Sequence, residues 1–551
     1  MSKTAQNRAS NAECLMQMPV TYSPALDHMT KWYIVVVVTL VTAMEFLTSY
    51  AVAVALPDIQ GDLAASFDEG SWILTTYTTC FLVGLVLSNW LADRIGYRRH
   101  MIFTVAFFMV SSAGCGFSRT LAQMLVCRGF MGFAGGNFLV RAQTSIYRTH
   151  IGFKERFWPL FVLVFGVVVF ARTFAPVIGG YITEWYSWRY IFFLNVPLAL
   201  TAMAGLSGLP DFKAKIEQSR LDTHGLMLLI GWLAPLQIVL SRGERDDWFA
   251  DPLIRIMSFT VAICLPLFIW WESRSENRNP IIDLKVFRIR NFALGSIYVN
   301  VLGMMLYGQL YIIPQFLRNV QHHSAFGTGK LQGINAAAFA VGLVTGGLLM
   351  KPIGIRRALA IGATVFCVGM WCWVTRFTTD ISDPAMVLPL ILTGFGAGWQ
   401  IGPMSVLINC DLPNALMGVG MELYLCLRQL GGSWGIAILT ILIDRRRSFW
   451  SSRLGEHIND YNLTAQEALR QGTAALQLAG FPHEQAQTGA MHLLRVDLLV
   501  QSTVNAFVDT YLYQFLVGGA AILLILLSAK KPLLEKIKRW STADSTIPLY
   551  S

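Results

Sequence analysis

Charge is what this sequence has least of. Asp, Glu, Lys and Arg make up 14% of 551 residues, where a soluble domain carries about 25%. Hydrophobic residues make up 54%. That is more apolar surface than one globular core hides, so the chain reads as crossing a membrane many times. No stretch is basic enough to grip nucleic acid. The formal charge of +10 is scattered through loops, as expected where cytoplasmic loops collect Lys and Arg. The nine cysteines show no C-x-x-C and no metal-ligand spacing, so neither a disulfide framework nor a metal centre is expected, and nothing implies a cofactor. There is no Walker A run to suggest ATP drive, and no H-E-x-x-H or other clustered set to suggest a membrane-embedded enzyme. A cleavable signal peptide is not expected either, because a long polar stretch precedes the first apolar run and that run is long enough to span.

What the chain does have is long hydrophobic runs. A span needs about 20 apolar residues. Fourteen are expected, near 32–56, 71–92, 101–118, 121–141, 157–182, 189–209, 224–241, 253–271, 292–316, 329–351, 356–375, 384–408, 416–442 and 510–529. Basic residues mark one side: Arg94, Arg98 and Arg99 after span two, Arg148, Lys154 and Arg156 after span four, and Arg274 to Arg290 after span eight. The loop after span one holds only acids, Asp58, Asp62, Asp68 and Glu69. Both termini are therefore expected in the cytoplasm. Residues 443–509 read as a long outer loop, partly helical and amphipathic, large enough to be a docking element rather than a connector.

Seven short runs carry more specific information. SNWLADRIGYRRH at 88–100 resembles the signature loop of the major facilitator superfamily, with Asp93, Arg94, Gly96 and Arg98 on the pattern and Asn89 in place of its first glycine. A carboxylate at a helix end that pairs in only one conformation acts as a latch. CRGFMGFAGGNF puts Arg128, Gly132, Gly135 and Gly136 on one helical face. APVIGGY, with Pro176, Gly179 and Gly180, is similar to the antiporter packing motif, which lets helices approach closely. ALPDI, WRYIFFLNVPL, NPIIDLKVFRIRNF and LRQLGGSWGIAI complete a resemblance to the fourteen-helix drug:proton antiporter branch, the EmrB/QacA type and closest to EmrB, over residues 30 to 530.

That resemblance implies an all-helical membrane fold of two six-helix bundles with two extra helices between them. The segments would be a cytoplasmic stretch 1–31, a first bundle 32–209, extra helices and linker 210–290, a second bundle 291–529 that includes the outer loop, and a cytoplasmic tail 530–551. It also implies a bacterial inner-membrane pump for small molecules driven by protons, working with a periplasmic adaptor and an outer-membrane channel. The loop 443–509 is the candidate adaptor contact.

Ionisable residues inside spans are functional candidates by default. Glu45 lies in span one, three residues before Thr48, where the family usually has an acid. A carboxyl there is a candidate proton carrier. Arg128 matches the family's span-four arginine, and Arg428 heads the RQLGGS run of span thirteen. Glu422 is six residues before Arg428, a spacing that does not put the two on one face. Tyr77, Tyr307, Trp399 and Tyr424 are candidate cavity aromatics, and His322 and His323 are expected to be solvated in an outer loop. The oddest residue is Arg172, in VVVFARTFAPVIGG. It shares the small-residue face of Pro176, Gly179 and Gly180, and so points into the protein. Three readings stand: an ion pair with an acid such as Glu45, a contact for an anionic substrate, or a solvated vestibule residue. The rivals to drug export are a same-fold transporter for one organic anion or metabolite, an enzyme, and a sensor.

Overall fold

The computed structural model describes residues 27–149, 158–159, 162–209, 222–243, 246–274, 281–282, 284–379, 381–409, 411–412, 417–456, 458 and 462–527. Its long elements are α-helices: α1 (His28–Asp62), α2 (Phe67–Ile95), α3 (Tyr97–Phe117), α4 (Leu121–Gly135), α5 (Phe138–Thr149), α6 (Arg172–Trp185), α7 (Arg189–Phe193), α8 (Asn195–Ser207), α9 (Thr223–Arg242), α10 (Pro252–Glu272), α11 (Arg290–Asn319), α12 (Ala325–Ile353), α13 (Ile355–Arg376), α14 (Asp383–Asn409), α15 (Met417–Gly455), α16 (Leu463–Leu478) and α17 (His483–Leu527). Among the described residues, thirteen helices are long and apolar enough to cross a membrane. The missing one is span four. Its helix breaks at Gly136–Asn137 into α4 and α5, neither of which is long enough alone. A further irregularity precedes α6, where Phe165–Ala171 is π-helical.

Local sequence sets several boundaries. Ser66 and Glu69 form a capping box at the start of α2, satisfying N–H groups that a helix start leaves unpaired. Asp251 caps α10 ahead of Pro252. Two turns demand glycine: α2 passes to α3 through Gly96 at φ 92°, and α12 passes to α13 through Gly354 at φ 91°, values that an L side chain rarely adopts. The flanking sequences, IGYRR and IGIRR, are the imprint of an internal repeat.

Helices α1 to α8 pack together, and so do α11 to α15 with α17. The two groups meet along α6 against α12, α2 against α15, and α1 against α11. The first seam is the tightest. A Cβ on Gly180 would lie 2.4 Å from the Ala325 carbonyl oxygen, and one on Gly329 would lie 2.3 Å from that of Pro176. Gly329→Leu has only backbone to push against, and overpacking of this kind costs about 1–3 kcal/mol. The purified variant is expected to melt several degrees below the wild type; an unchanged melting temperature would show that the seam is loose. Helix α9 joins the α2–α15 seam through a polar relay, in which Ser433 Oγ donates to Gln237 Oε1 at 2.6 Å and lies 3.5 Å from Thr79 Oγ.

Residues 443–509 are more helical than the partly helical loop that the sequence suggests. α15 runs on to Gly455, α17 begins at His483, and α16 packs against α17. The reason lies in side chains that tie the extensions together: Arg446 Nε and Trp450 Nε1 both donate to Asp509 Oδ2 at 2.6 Å.

One end of the molecule, the end with the short loop after α1, is fastened across the two groups. Arg318 of α11 pairs with Asp58 of α1. Gln315 Nε2 donates to Gln60 Oε1 at 3.0 Å, and the Phe326 N–H donates to Glu184 Oε2 at 2.7 Å. Tyr181 and Trp185 pack their rings on Phe326. His323 meets Asp383 at 3.3 Å nearby.

Candidate functional site

Between the two groups lies a small cavity of about 50 Å³. From the first group it is lined by Glu45, Ser49, Tyr50, Tyr77, Thr78 and Arg128, and from the second by Tyr307, Arg428 and Gln429, with apolar walls such as Phe46, Phe81, Leu310 and Ile436. Among the described residues Glu45 is its single carboxylate. Glu45 Oε1 accepts from Tyr77 Oη at 2.8 Å and from Ser49 Oγ, one helical turn on, at 3.1 Å. Gly135 on α4 makes the room. A Cβ there would lie 2.7 Å from Tyr77 Oη and 3.1 Å from Glu45 Cγ.

Arg128 is fully buried. Its guanidinium lies 4.3 Å from the centre of the Tyr77 ring, and its Nη2 has no hydrogen-bond partner. Arg128 therefore reaches Glu45 through the tyrosine that holds it, rather than by an ion pair. On the opposite wall Arg428 lies over the Tyr424 ring at 5.6 Å, and Tyr307 Oη donates to Gln429 Oε1 at 2.5 Å. Thr48 donates to Asn195 Oδ1 at 2.8 Å and does not line the cavity.

Arg172 sits beside this cavity, buried between the groups. Its guanidinium carbon lies 5.0 Å from the centre of the Tyr50 ring and 3.3 Å from that of Phe339, which belongs to α12. It pairs with no acid among the described residues. The ion pair with Glu45 is thus absent: Glu45 faces Tyr77 and Ser49 instead. Pro176, Gly179 and Gly180 are buried in the seams of α6, with Gly179 against Ala51 of α1.

Other expectations are corrected. Trp399 does not line the cavity: its Nε1 donates to the Ala358 carbonyl at 2.8 Å, and its backbone packs against Gly342 and Gly346, within the second group. Tyr424 is buried under Arg428 and donates to the Ile401 carbonyl at 3.4 Å. At the turn after α2, Arg94 stacks on Trp90 and Arg98 Nη1 reaches the Leu209 carbonyl at 3.4 Å. The side chains of Asp93 and Glu422 lie outside the described residues. Sequence reasoning missed Ser49, Tyr50 and Gln429. The i to i+4 step from Glu45 to Ser49 was the readable signal for the first; the other two are brought in by packing between the groups.

The comparisons follow this geometry. The chain is 28% identical over 446 residues to the "Multidrug export protein EmrB" of Haemophilus influenzae, covering 79% of this chain and 84% of that protein. It is 29% identical over 430 residues to the "Fatty acid resistance protein FarB" of Neisseria gonorrhoeae, covering 77% and 83%. Among solved structures, a bacterial homologue of the lysosomal transporter Spinster, inward-facing and unoccupied, superposes with a TM-score of 0.58 at 15% identity, covering 92% of this chain and all of that one. An auto-inhibited POT family peptide transporter reaches 0.60 at 13%, covering 91% and 98%. These two likenesses concern the fold. Residues 38–436 match the family model described as Major Facilitator Superfamily. The chain, a multi-pass membrane protein, belongs to the major facilitator superfamily.

Proposed function

We propose that the chain is a proton-coupled exporter of hydrophobic or amphipathic toxic compounds, with Glu45 as its proton carrier. The observation that carries this reading is the position of Glu45, the one carboxylate among the described residues on the wall of a cavity between two groups of helices. Two hydroxyls hold its oxygen when it is ionised, and a proton neutralises it as the cavity opens to water on the other side. Cargo meeting the same walls competes with that proton, and this competition is the coupling. Arg128 positions Tyr77, and Arg428 and Tyr307 complete the opposite wall. The names of the relatives supply the multidrug class.

The distribution of Lys and Arg supports a cytoplasmic Gly96 end, with Asp93, Arg94 and Arg98 as its latch, both termini inside, and the fastened end outside. In a Gram-negative host the membrane would be the inner one. The hairpin of α15, α16 and α17 then stands outside, with Leu463, Leu478 and Phe481 exposed, and is our candidate dock for a periplasmic adaptor that leads to an outer-membrane channel. Deleting residues 463–478 is expected to leave transport in isolated vesicles near wild type and to abolish resistance in whole cells. Equal loss in both would make the hairpin part of the pump itself.

Inverted membrane vesicles test the main reading. Adding a hydrophobic dye to vesicles holding a proton gradient should discharge part of that gradient only when this protein is present. Uptake by whole cells, with no dye-dependent proton flux, would favour a same-fold importer or metabolite carrier.

A further inference from the structure

The geometry points to Arg172, with Tyr50 and Phe339, as the docking point for the acidic head of an amphipathic cargo: the preferred substrate is a hydrophobic organic anion. This inference rests on the export reading above and narrows its cargo.

Three observations converge. The first is the missing partner. Arg172 is more than nine-tenths buried, a position in which a cation is normally paired. Among the described residues no carboxylate pairs with it, no hydrogen bond involves its side chain, and its Nε is sealed from solvent without an acceptor. The second is orientation. The guanidinium lies over the Phe339 ring at 3.3 Å and near Tyr50 at 5.0 Å. Stacking uses the flat face of the group and leaves its N–H donors, which lie in the plane of the fork, free for a carboxylate. Tyr50 is itself a cavity wall, so an anion on that edge borders the same space as Glu45.

The third is charge balance. Arg128 and Arg428 line the cavity and Arg172 stands beside it, against Glu45 as the one acid among the described residues. Among the described side chains, three cations and one acid leave an excess of two positive charges even with Glu45 ionised. A cationic cargo would meet repulsion there, whereas an anionic one supplies the missing countercharge. The apolar walls, Phe46, Phe81, Leu310 and Ile436, suit its tail. The dock also spans the seam, since Tyr50 belongs to α1 and Phe339 to α12. Cargo held there therefore senses the relative position of the two groups.

The charge of the cargo fixes the electrical signature. One monoanion moved out for one proton moved in carries two positive charges inward. A neutral cargo carries one, and a monovalent cation carries none. Anion export is therefore accelerated by an inside-negative membrane potential, and export of a monocation is not.

The experiment uses the full-length protein in proteoliposomes with an imposed proton gradient, and two probes, radiolabelled decanoate and ethidium. The expected result has three parts. Wild-type protein transports decanoate, faster when a potassium–valinomycin potential is added. Arg172→Gln lowers the ratio of decanoate to ethidium transport at least tenfold. Arg172→Lys, which keeps the charge but not the fork, recovers part of that ratio. Equilibrium binding of decanoate to the detergent-purified Gln variant falls in parallel, which separates lost recognition from lost folding. If wild-type protein moves ethidium but not decanoate, or if Arg172→Gln leaves the ratio unchanged, the anion dock is overturned while the export reading stands. If neither probe moves with the proton gradient, both fall.

Discussion

Glu45→Gln is expected to reduce proton-driven accumulation of cargo by about a hundredfold or more, the lower range of what a single proton-transfer group contributes. The substitution is close to isosteric. Its amide oxygen still accepts from Tyr77 and Ser49, which meet Glu45 Oε1 at 2.8 and 3.1 Å, so the packing around Gly135 has no reason to change. What disappears is the exchangeable proton. Exchange of labelled for unlabelled cargo needs no net proton movement, and it should survive in the same proteoliposomes. Loss of accumulation with retained exchange identifies a coupling residue; loss of both identifies a structural one. Accumulation within a few-fold of wild type would move the proton elsewhere, and Glu422 of α15 would be the next acid to test.

Removing the charge pair between Asp58 and Arg318 should free the fastened end. Both side chains are partly exposed, at 28% and 19%, so the pair is weaker than a buried one. It is not alone, since Gln60 with Gln315 and Glu184 with the Phe326 N–H close the same end. A contribution of about 1.4 kcal/mol corresponds to a tenfold shift in the equilibrium between closed and open. The measurement is labelling from outside of a cysteine placed at Leu310, on the cavity wall, in protein whose nine native cysteines have been replaced. Asp58→Asn or Arg318→Gln is expected to speed labelling about tenfold, and the exchange of charges, Asp58→Arg with Arg318→Asp, to bring it back toward wild type. Unchanged rates in the single variants would mean that the remaining contacts alone hold the end shut.

The spans were legible because lipid leaves few ways to cross it, and each apolar run announces itself. The break at Gly136–Asn137 was not, since AGGN reads equally well as a packing face, and the glycines do pack: a Cβ on Gly136 would lie 2.1 Å from the Phe81 carbonyl oxygen. For Arg172 the helical face was legible and the neighbours were not, because Phe339 lies 167 positions further along the chain. The same limit hid Arg318 behind an ordinary helix end. Trp399 shows the converse error. A tryptophan in a span advertises a cavity no more than it advertises packing, and its indole N–H was answered by a backbone carbonyl on α13. The amphipathic stretch 463–478 was recognisable as a helix, but the continuation of α15 to Gly455 depended on Asp509, which receives Arg446 and Trp450 from more than 50 residues away.

That continuation turns α15 into a lever. The helix contains no proline and carries Arg428 on the cavity wall at one point and Gly455 at its far end, 455 − 428 = 27 residues on. At 1.5 Å per residue the arm is about 40 Å long. A rigid-body turn of about 15°, the size seen when subunits rotate in allosteric proteins, would sweep its tip through about 10 Å. Events too small to see around Glu45 and Arg428 are thus magnified at the tip. By the reciprocity of coupled equilibria, whatever grips the tip gains mechanical advantage over the cavity.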